Sequence, residues 1–278
     1  MTRNEPLRAG VVGWPVSHSK SPRMHGEWLR RSGVDGTYEA VGAEPGRFEA
    51  TIRELVEAGW RGVNVTLPHK EAALALADEA TERAASIGAA NTLVFGSDGR
   101  VAADNTDGFG FIANIDDRAP GRWKRSEPAT ILGAGGASRA IIRAVLDEGA
   151  PEVRLVNRTR ARAEALRAAF GDRVAVFDWS DAARAIGGSS LIVNTTSLGM
   201  EGQPPLELDF GNADPAAVST DIVYTPLWTP FLRSAAETGL ATVDGLGMLL
   251  HQGRPGFEAW FGAKPMVDHA LREIMLAP

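Results

Sequence analysis

Two short stretches hold side chains of opposite charge where a fold could use them for proton transfer. NVTLPHK (64–70) ends an alternating run, turns at a proline and sets Lys70 just inside a helix start. The positive end of a helix dipole disfavours a cation there. The expectation is a lysine of lowered pKa that exchanges protons near neutral pH. ADNTDGFG (103–110) offers Asp104 and Asp107, again after a strand and before a helix. A carboxylate near such a lysine would orient it and share the proton. The plainer readings are a solvated Lys70 and an Asp107 that caps its helix.

A third stretch, ILGAGGASRA (131–140), lies between an expected strand and an expected helix. Gly133 and Gly135 match the first two glycines of G-x-G-x-x-G, one for a tight turn and one for close approach of a pyrophosphate. The sixth position is Ser138 rather than glycine. NAD sites carry an acid at the end of the following strand for the ribose 2′-hydroxyl. Here that strand ends VNRTRAR (156–162), with Arg158, Arg160 and Arg162 and no carboxylate. Arginine pairs with phosphate in bidentate fashion, so NADP fits better than NAD. Arg158 directly follows the strand end and is the preferred contact. In NTTSLGM (194–200), Thr195, Thr196 and Ser197 close a later strand, either facing a cofactor or capping the next turn.

The elements that must position these residues read as alternating strands and helices. AGVVG, TYEAVG and GVNVT are strands, with helices from Ser21–Pro22 to about Arg31, over 47–59, and over PHKEAALALADE. Ser21 is expected as the N-cap, with Gly33 as the stop. NTLVFG and RVAADN form a hairpin about Ser97-Asp98-Gly99. Strands separated by helices imply a mainly parallel sheet. A loop rich in Pro, Gly and charge (116–128) breaks the pattern. A regular βαβαβαβ run then extends to NTTS, with STDIVYTP and ATVDG as two further strands around a helix at 230–238. In MVDHALREIM, Met266, Val267, Ala270, Leu271, Ile274 and Met275 make one apolar face that needs a partner. Trp123 and Trp179 fit no motif. The fold class is α/β.

Bulk properties narrow the function. The net charge of −6 gives no basic field for nucleic acid. No apolar run approaches the roughly 20 residues of a membrane span, and no secretory h-region is present at the start. With no cysteine, disulfides and thiolate chemistry are excluded. Five histidines form no HxxxH or HxH pair, so no metal site is expected. A cytoplasmic location is the default.

GWPVSHSKSP, NVTLPHK, GAANTL, DNTDG, LGAGGASRA, NRT, NTTSLGM and DGLGMLLHQG occur in this order between about residues 10 and 256. Together they closely resemble the shikimate dehydrogenases. The resemblance implies two domains: residues 1–106 binding substrate, and a Rossmann-type doubly wound parallel sheet over 107–245 binding NADP. Helices over 246–278 would return to the first domain, which would give their apolar face its partner. It implies reversible, NADPH-dependent reduction of 3-dehydroshikimate to shikimate by a monomer or homodimer. Lys70 and Asp107 match the catalytic pair. Ser17 and Ser19 match the holders of the substrate carboxylate, and Thr66, Asn91, Tyr224 and Gln252 match the other substrate contacts. Gly133, Ala134, Gly135, Gly136, Ala137, Asn157, Arg158, Thr159, Arg162, Thr195, Ile222 and Gly245 match cofactor positions, with Glu82 where some members place an acid near the cofactor. One departure is Tyr224-Thr225-Pro226 followed by Trp228, where the family often reads Y-N-P. Alternatives are a quinate-accepting or aminoshikimate-type relative, a tetrahydrofolate-pathway dehydrogenase and a non-catalytic NADP-binding sensor. Arg158 and the serine pair oppose the quinate reading, because dual-specificity relatives carry an acid near 158 and use NAD. The SHS and DNTDG segments oppose the folate reading. The presence of both Lys70 and Asp107 opposes the sensor.

Overall fold

The computed structural model describes residues 5–277. It divides into two compact units, Met1–Thr106 with Leu250–Pro278, and Asp107–Leu249. Among the described residues, no helix is long and apolar enough to cross a membrane.

The first unit runs β1 (Leu7–Gly13), α1 (Ser21–Ser32), β2 (Gly36–Gly42), α2 (Phe48–Glu57), β3 (Gly62–Val65), α3 (Lys70–Leu76), β4 (Glu79–Ala80), α4 (Glu82–Ile87), β5 (Thr92–Phe95) and β6 (Val101–Asp104). Its sheet has the order β2-β1-β3-β5-β6-β4. β1 pairs in parallel with both β2 and β3, whereas β5 is antiparallel to β3 and β6. Five of its six strands therefore run the same way and the sheet is mainly parallel, as expected, with β5 reversed because the tight turn of the β5–β6 hairpin can only reverse direction. One sheet face packs Val12, Val63, Val65, Leu93 and Phe95 against Phe48, Ile52 and Ala73 of α2 and α3.

Two local expectations are corrected. The N-cap of α1 is Lys20; Ser21 and Pro22 are the first two helical residues, and Gly33 at φ 67° closes the helix in the left-handed region that glycine tolerates. The helix expected over 68–79 is only α3, because Asp78 N donates to Val101 O and Thr81 N to Ala103 O, drawing 79–80 into the sheet edge as β4. α4 then starts anew with Thr81 as its cap, whose hydroxyl accepts from Ala84 N (3.3 Å). Tertiary pairing overrides the helical pattern of this segment.

The second unit runs α5 (Asp107–Arg118), β7 (Ala129–Leu132), α6 (Gly136–Asp147), β8 (Val153–Asn157), α7 (Arg160–Phe170), β9 (Val174–Asp178), α8 (Ala182–Ala185), β10 (Leu191–Asn194), β11 (Val218–Asp221), α9 (Pro230–Glu237) and β12 (Ala241–Val243). All six strands are parallel, in the order β12-β11-β10-β7-β8-β9. Residues of period two divide between the sheet faces. Ile131, Leu155 and Val193 face one core with Ile141 and Val145, while Leu132, Val156 and Ile192 face the other with Phe231 and Leu232. Trp123 is buried in the first of these cores, with the Arg125 guanidinium 4.7 Å from its ring centre, and Trp179 packs on the second. Core packing is therefore the role of both tryptophans.

α10 (Leu246–Phe261) and α11 (His269–Leu276) close the chain. α11 packs on α1 in the first unit: Lys20 Nζ donates to Met275 O (3.3 Å) and Arg31 pairs with Asp268 at 2.9 Å. The apolar face is narrower than expected. Leu271 and Met275 are buried, but Met266 precedes the helix and is exposed, and Ala270 is exposed too. Asp268 caps α11 at Leu271 N (2.7 Å), so the helix starts too late to include Met266.

Candidate active site

In the first unit, β1 and β3 are parallel neighbours, so the turns after them emerge side by side. Thr66 N donates to Val12 O (2.9 Å) and Trp14 N to Leu67 O (3.0 Å). The turn bearing Ser17 and Ser19 is thus laced to the turn bearing Thr66 and Lys70. Ser17 is exposed; Ser19 is half-buried and its Oγ accepts from Ser21 N (3.3 Å).

Lys70 is half-buried and is the first residue of α3. Its carbonyl accepts from Ala90 N (2.8 Å). The residue before it, His69, is buried, stacks on Phe48 at 4.5 Å and places Nε2 2.8 Å from Ala43 O. A carbonyl only accepts, so Nε2 carries the proton. The backbone of Lys70 is therefore fixed from both sides.

A second polar group lies at the start of β5. Buried Asn91 accepts through Oδ1 from Thr106 N (2.9 Å), Thr106 Oγ1 (3.1 Å) and Thr92 Oγ1 (2.9 Å). Its Nδ2 donates to Gln252 Oε1 (3.3 Å), and Thr106 Oγ1 also lies 2.8 Å from Gln252 O. Asn91 and Gln252, 161 positions apart, are thus brought together. Thr106, the threonine of DNTDG, ties them, and no sequence signal beyond its place in that motif marks it. Glu82 is exposed at the first position of α4, where a carboxylate suits the helix dipole.

In the second unit, Asp107 is buried in the first turn of α5. Gly133 takes φ +109°, and a Cβ there would lie 2.8 Å from Thr195 Oγ1, so only glycine fits. Ala134 N donates to Asn157 Oδ1 (3.1 Å), binding the glycine loop to the end of β8. Ser138 explains its own departure from the motif. Its Oγ accepts from Gly135 N (3.0 Å) and lies 2.8 Å from Thr195 Oγ1, which donates to Leu132 O (2.8 Å). The hydroxyl shapes the loop where a glycine would only make room. Gly135 and Gly136 are exposed, Ala137 is half-buried, and α6 begins at Gly136, so its first amides are open to an anion.

At the end of β8, Asn157 Nδ2 donates to Thr159 O (2.7 Å), and Thr159 precedes α7. Arg158 and Arg162 are exposed. Arg160 is paired with Asp178 and Glu164, both at 3.1 Å, and Asp178 raises its pKa further. The three arginines are thus not equivalent. Ile222 and Gly245 are in contact: a Cβ on Gly245 would lie 2.5 Å from the Ile222 carbonyl. Tyr224 is half-buried, and burial raises its hydroxyl pKa. Thr225, Pro226 and exposed Trp228 line a groove of about 520 Å³ with Met200 and Arg233.

A wholly parallel doubly wound sheet, with a glycine loop at its first strand-to-helix turn and an arginine beside the next strand end, defines a dinucleotide-binding α/β unit of the Rossmann type. Comparison with known proteins extends this. Family models described as shikimate dehydrogenase substrate binding domain, shikimate/quinate 5-dehydrogenase and shikimate 5′-dehydrogenase C-terminal domain match residues 11–93, 120–199 and 245–275. The shikimate dehydrogenase (NADP(+)) of Paracoccus denitrificans is 53% identical over 275 residues, covering 99% of this chain and 97% of its own. That of Rhodospirillum rubrum is 55% identical over 273 residues, with 96% of each chain covered. The crystal structure of the Thermus thermophilus shikimate 5-dehydrogenase with NADP(H) and shikimate superposes with a TM-score of 0.85 at 39% identity, over 97% of this chain and 98% of that one. The chain belongs to the shikimate dehydrogenase family.

Proposed function

We propose that this chain reduces the 3-keto group of 3-dehydroshikimate to shikimate, reversibly and with NADPH. The observation that carries the reading is the lacing of the Ser17–Ser19 turn to the Thr66–Lys70 turn, which brings two neutral donors and a cation to adjoining strand ends. Ser17 and Ser19 donate to the substrate carboxylate. Thr66, Asn91, Tyr224 and Gln252 bond its hydroxyls or carboxylate, the Asn91 amide already being oriented by Thr106 and bonded to the Gln252 side chain. Lys70 gives the proton to the forming alkoxide oxygen and steadies its charge, with Asp107 as its carboxylate partner.

The glycine loop fits a dinucleotide, because Gly133 lacks the Cβ that would strike Thr195 and the first amides of α6 are open. NADPH, when bound, would supply the hydride and leave as NADP. Gly133, Ala134 and Gly135 line its pyrophosphate and the amides of Gly136 and Ala137 bond it, Asn157, Arg158, Thr159 and Arg162 hold its phosphorylated ribose, and Thr195, Ile222 and Gly245 its other end. The enzyme works on free small molecules in the cytoplasm as a monomer or homodimer.

The test is oxidation of shikimate and of quinate, each with NADP and with NAD, followed by reduced nicotinamide absorbance. Turnover confined to shikimate with NADP is expected. Comparable turnover of quinate or use of NAD would move the chain to the dual-specificity relatives. Silence in all four assays would overturn the reading.

A further inference from the structure

β10 and β11 end on paired residues, Asn194 and Asp221, and both side chains are wholly buried. Asp221 receives three donors. Its Oδ1 accepts from Asn194 Nδ2 (3.0 Å) and Val223 N (2.9 Å), and its Oδ2 accepts from Thr229 Oγ1 (2.7 Å). Thr229 in turn accepts from Leu232 N (3.3 Å) and caps α9. Asn194 repeats the device on its own loop. Its Oδ1 accepts from Thr196 N (2.9 Å) and Thr196 Oγ1 (2.7 Å), and its Nδ2 also reaches Leu198 O (3.2 Å). Ile222 N donates to Asn194 O (3.1 Å). One loop is therefore tied at 223 and 229, the other at 196 and 198, and the two knots share the Asn194–Asp221 bond.

Those loops carry Thr195, Ile222 and Tyr224, yet neither Asn194 nor Asp221 has a part in the assignments above. Burial pushes the Asp221 carboxyl up to about 6, and its partners are neutral. A buried carboxylate with no cation lowers stability. An amide of the same shape would avoid that, but it offers one acceptor oxygen where two are in use. Its NH₂ would face Thr229 Oγ1, whose own proton would then lose its acceptor.

We infer that Asp221, acting with Asn194, is a positioning residue: it holds the Ile222–Tyr224 segment and the 195–198 loop in one arrangement for substrate and cofactor. This rests on the function proposed above. Small displacements of groups that hold a substrate are costly in rate and affinity.

Thr229→Val removes one hydroxyl at constant shape, Thr229→Ser restores it, and Asp221→Asn keeps the shape of the carboxylate. The readouts are KM and kcat for shikimate, together with hydrogen exchange of peptides covering 195–198 and 222–229. Thr229→Val and Asp221→Asn are expected to raise KM for shikimate about tenfold with kcat within about twofold, while Thr229→Ser stays near wild type. Exchange should quicken in both loops, although Thr229 touches only one. A fall in apparent kcat that tracks the folded fraction at unchanged KM would overturn the inference, as would quickened exchange in 222–229 alone. If the wild-type chain does not turn over shikimate, the proposed function fails by itself, and the exchange of the two loops still decides whether Asp221 couples them.

Discussion

His25 sets up a specific response to acid. It lies on α1 with no exposed surface, its ring stacked on Tyr38 at 3.8 Å and 7° from parallel, with Trp28 edge-on at 5.1 Å. Neither ring nitrogen finds a hydrogen-bond partner among the described residues. Burial without a partner lowers its pKa from 6.5 to about 3. The unfolded chain therefore takes up a proton at His25 below about pH 6.5, whereas the folded chain refuses it until about pH 3. Stability from this site is full above 6.5 and is lost as pH falls, by about 1.4 kcal/mol per unit and about 5 kcal/mol in all. His25→Phe keeps a stacked ring and removes the titration. The assay is native-state hydrogen exchange of peptides from α1 and β2, variant against wild type at about pH 7.5, 5.5 and 4.5. The variant should gain about 1.4 kcal/mol over wild type between the first and second pH, and about as much again by the third. A difference that stays constant with pH would refute the reasoning, and so would an NMR signal of His25 that titrates near 6.5 in the folded protein.

Asp221 carries the opposite sign. Its folded pKa, about 6 against an ordinary 3.8, makes stability fall as pH rises from about 4 to about 6, by about 3 kcal/mol, so Asp221→Asn should gain on wild type across that window in urea titrations and run parallel to it above. Arg158→Ala should raise KM for NADP at least about tenfold in initial-rate assays while leaving that for NAD nearly unchanged; Arg160→Ala should do less, since Asp178 and Glu164 already hold that guanidinium. Equal effects of the two would remove the case for Arg158. Lys70→Ala should lose most turnover, with NADP binding by calorimetry little changed, and near-native turnover would end its proton-transfer role.

Much of the molecule can be read from the chain because its signals are local. A glycine loop, a strand end and the helix start beyond it are contiguous, so Gly133, Asn157 and Arg158 announce themselves together, and period-two and period-3.6 patterns locate most elements. Lys70 is visible for the same reason: proline, strand end and helix start are adjacent in sequence. Partnership between distant segments is not visible. Nothing in ALALADEA says that Val101 and Ala103 will draw residues 78–81 into a strand pairing. Nothing in RTRAR says that Asp178 will occupy Arg160 and leave Arg158 exposed. The clamp at the ends of β10 and β11 makes the same point: Asn194 and Asp221 become partners only because the two strands end in register, 27 residues apart. The sequence by itself determined which residues stand at strand ends, where backbone geometry is set over a few positions. Tertiary structure decided which of those ends adjoin, and so which side chains share a hydrogen bond, because that depends on strand order and on cores formed by residues far apart in the chain.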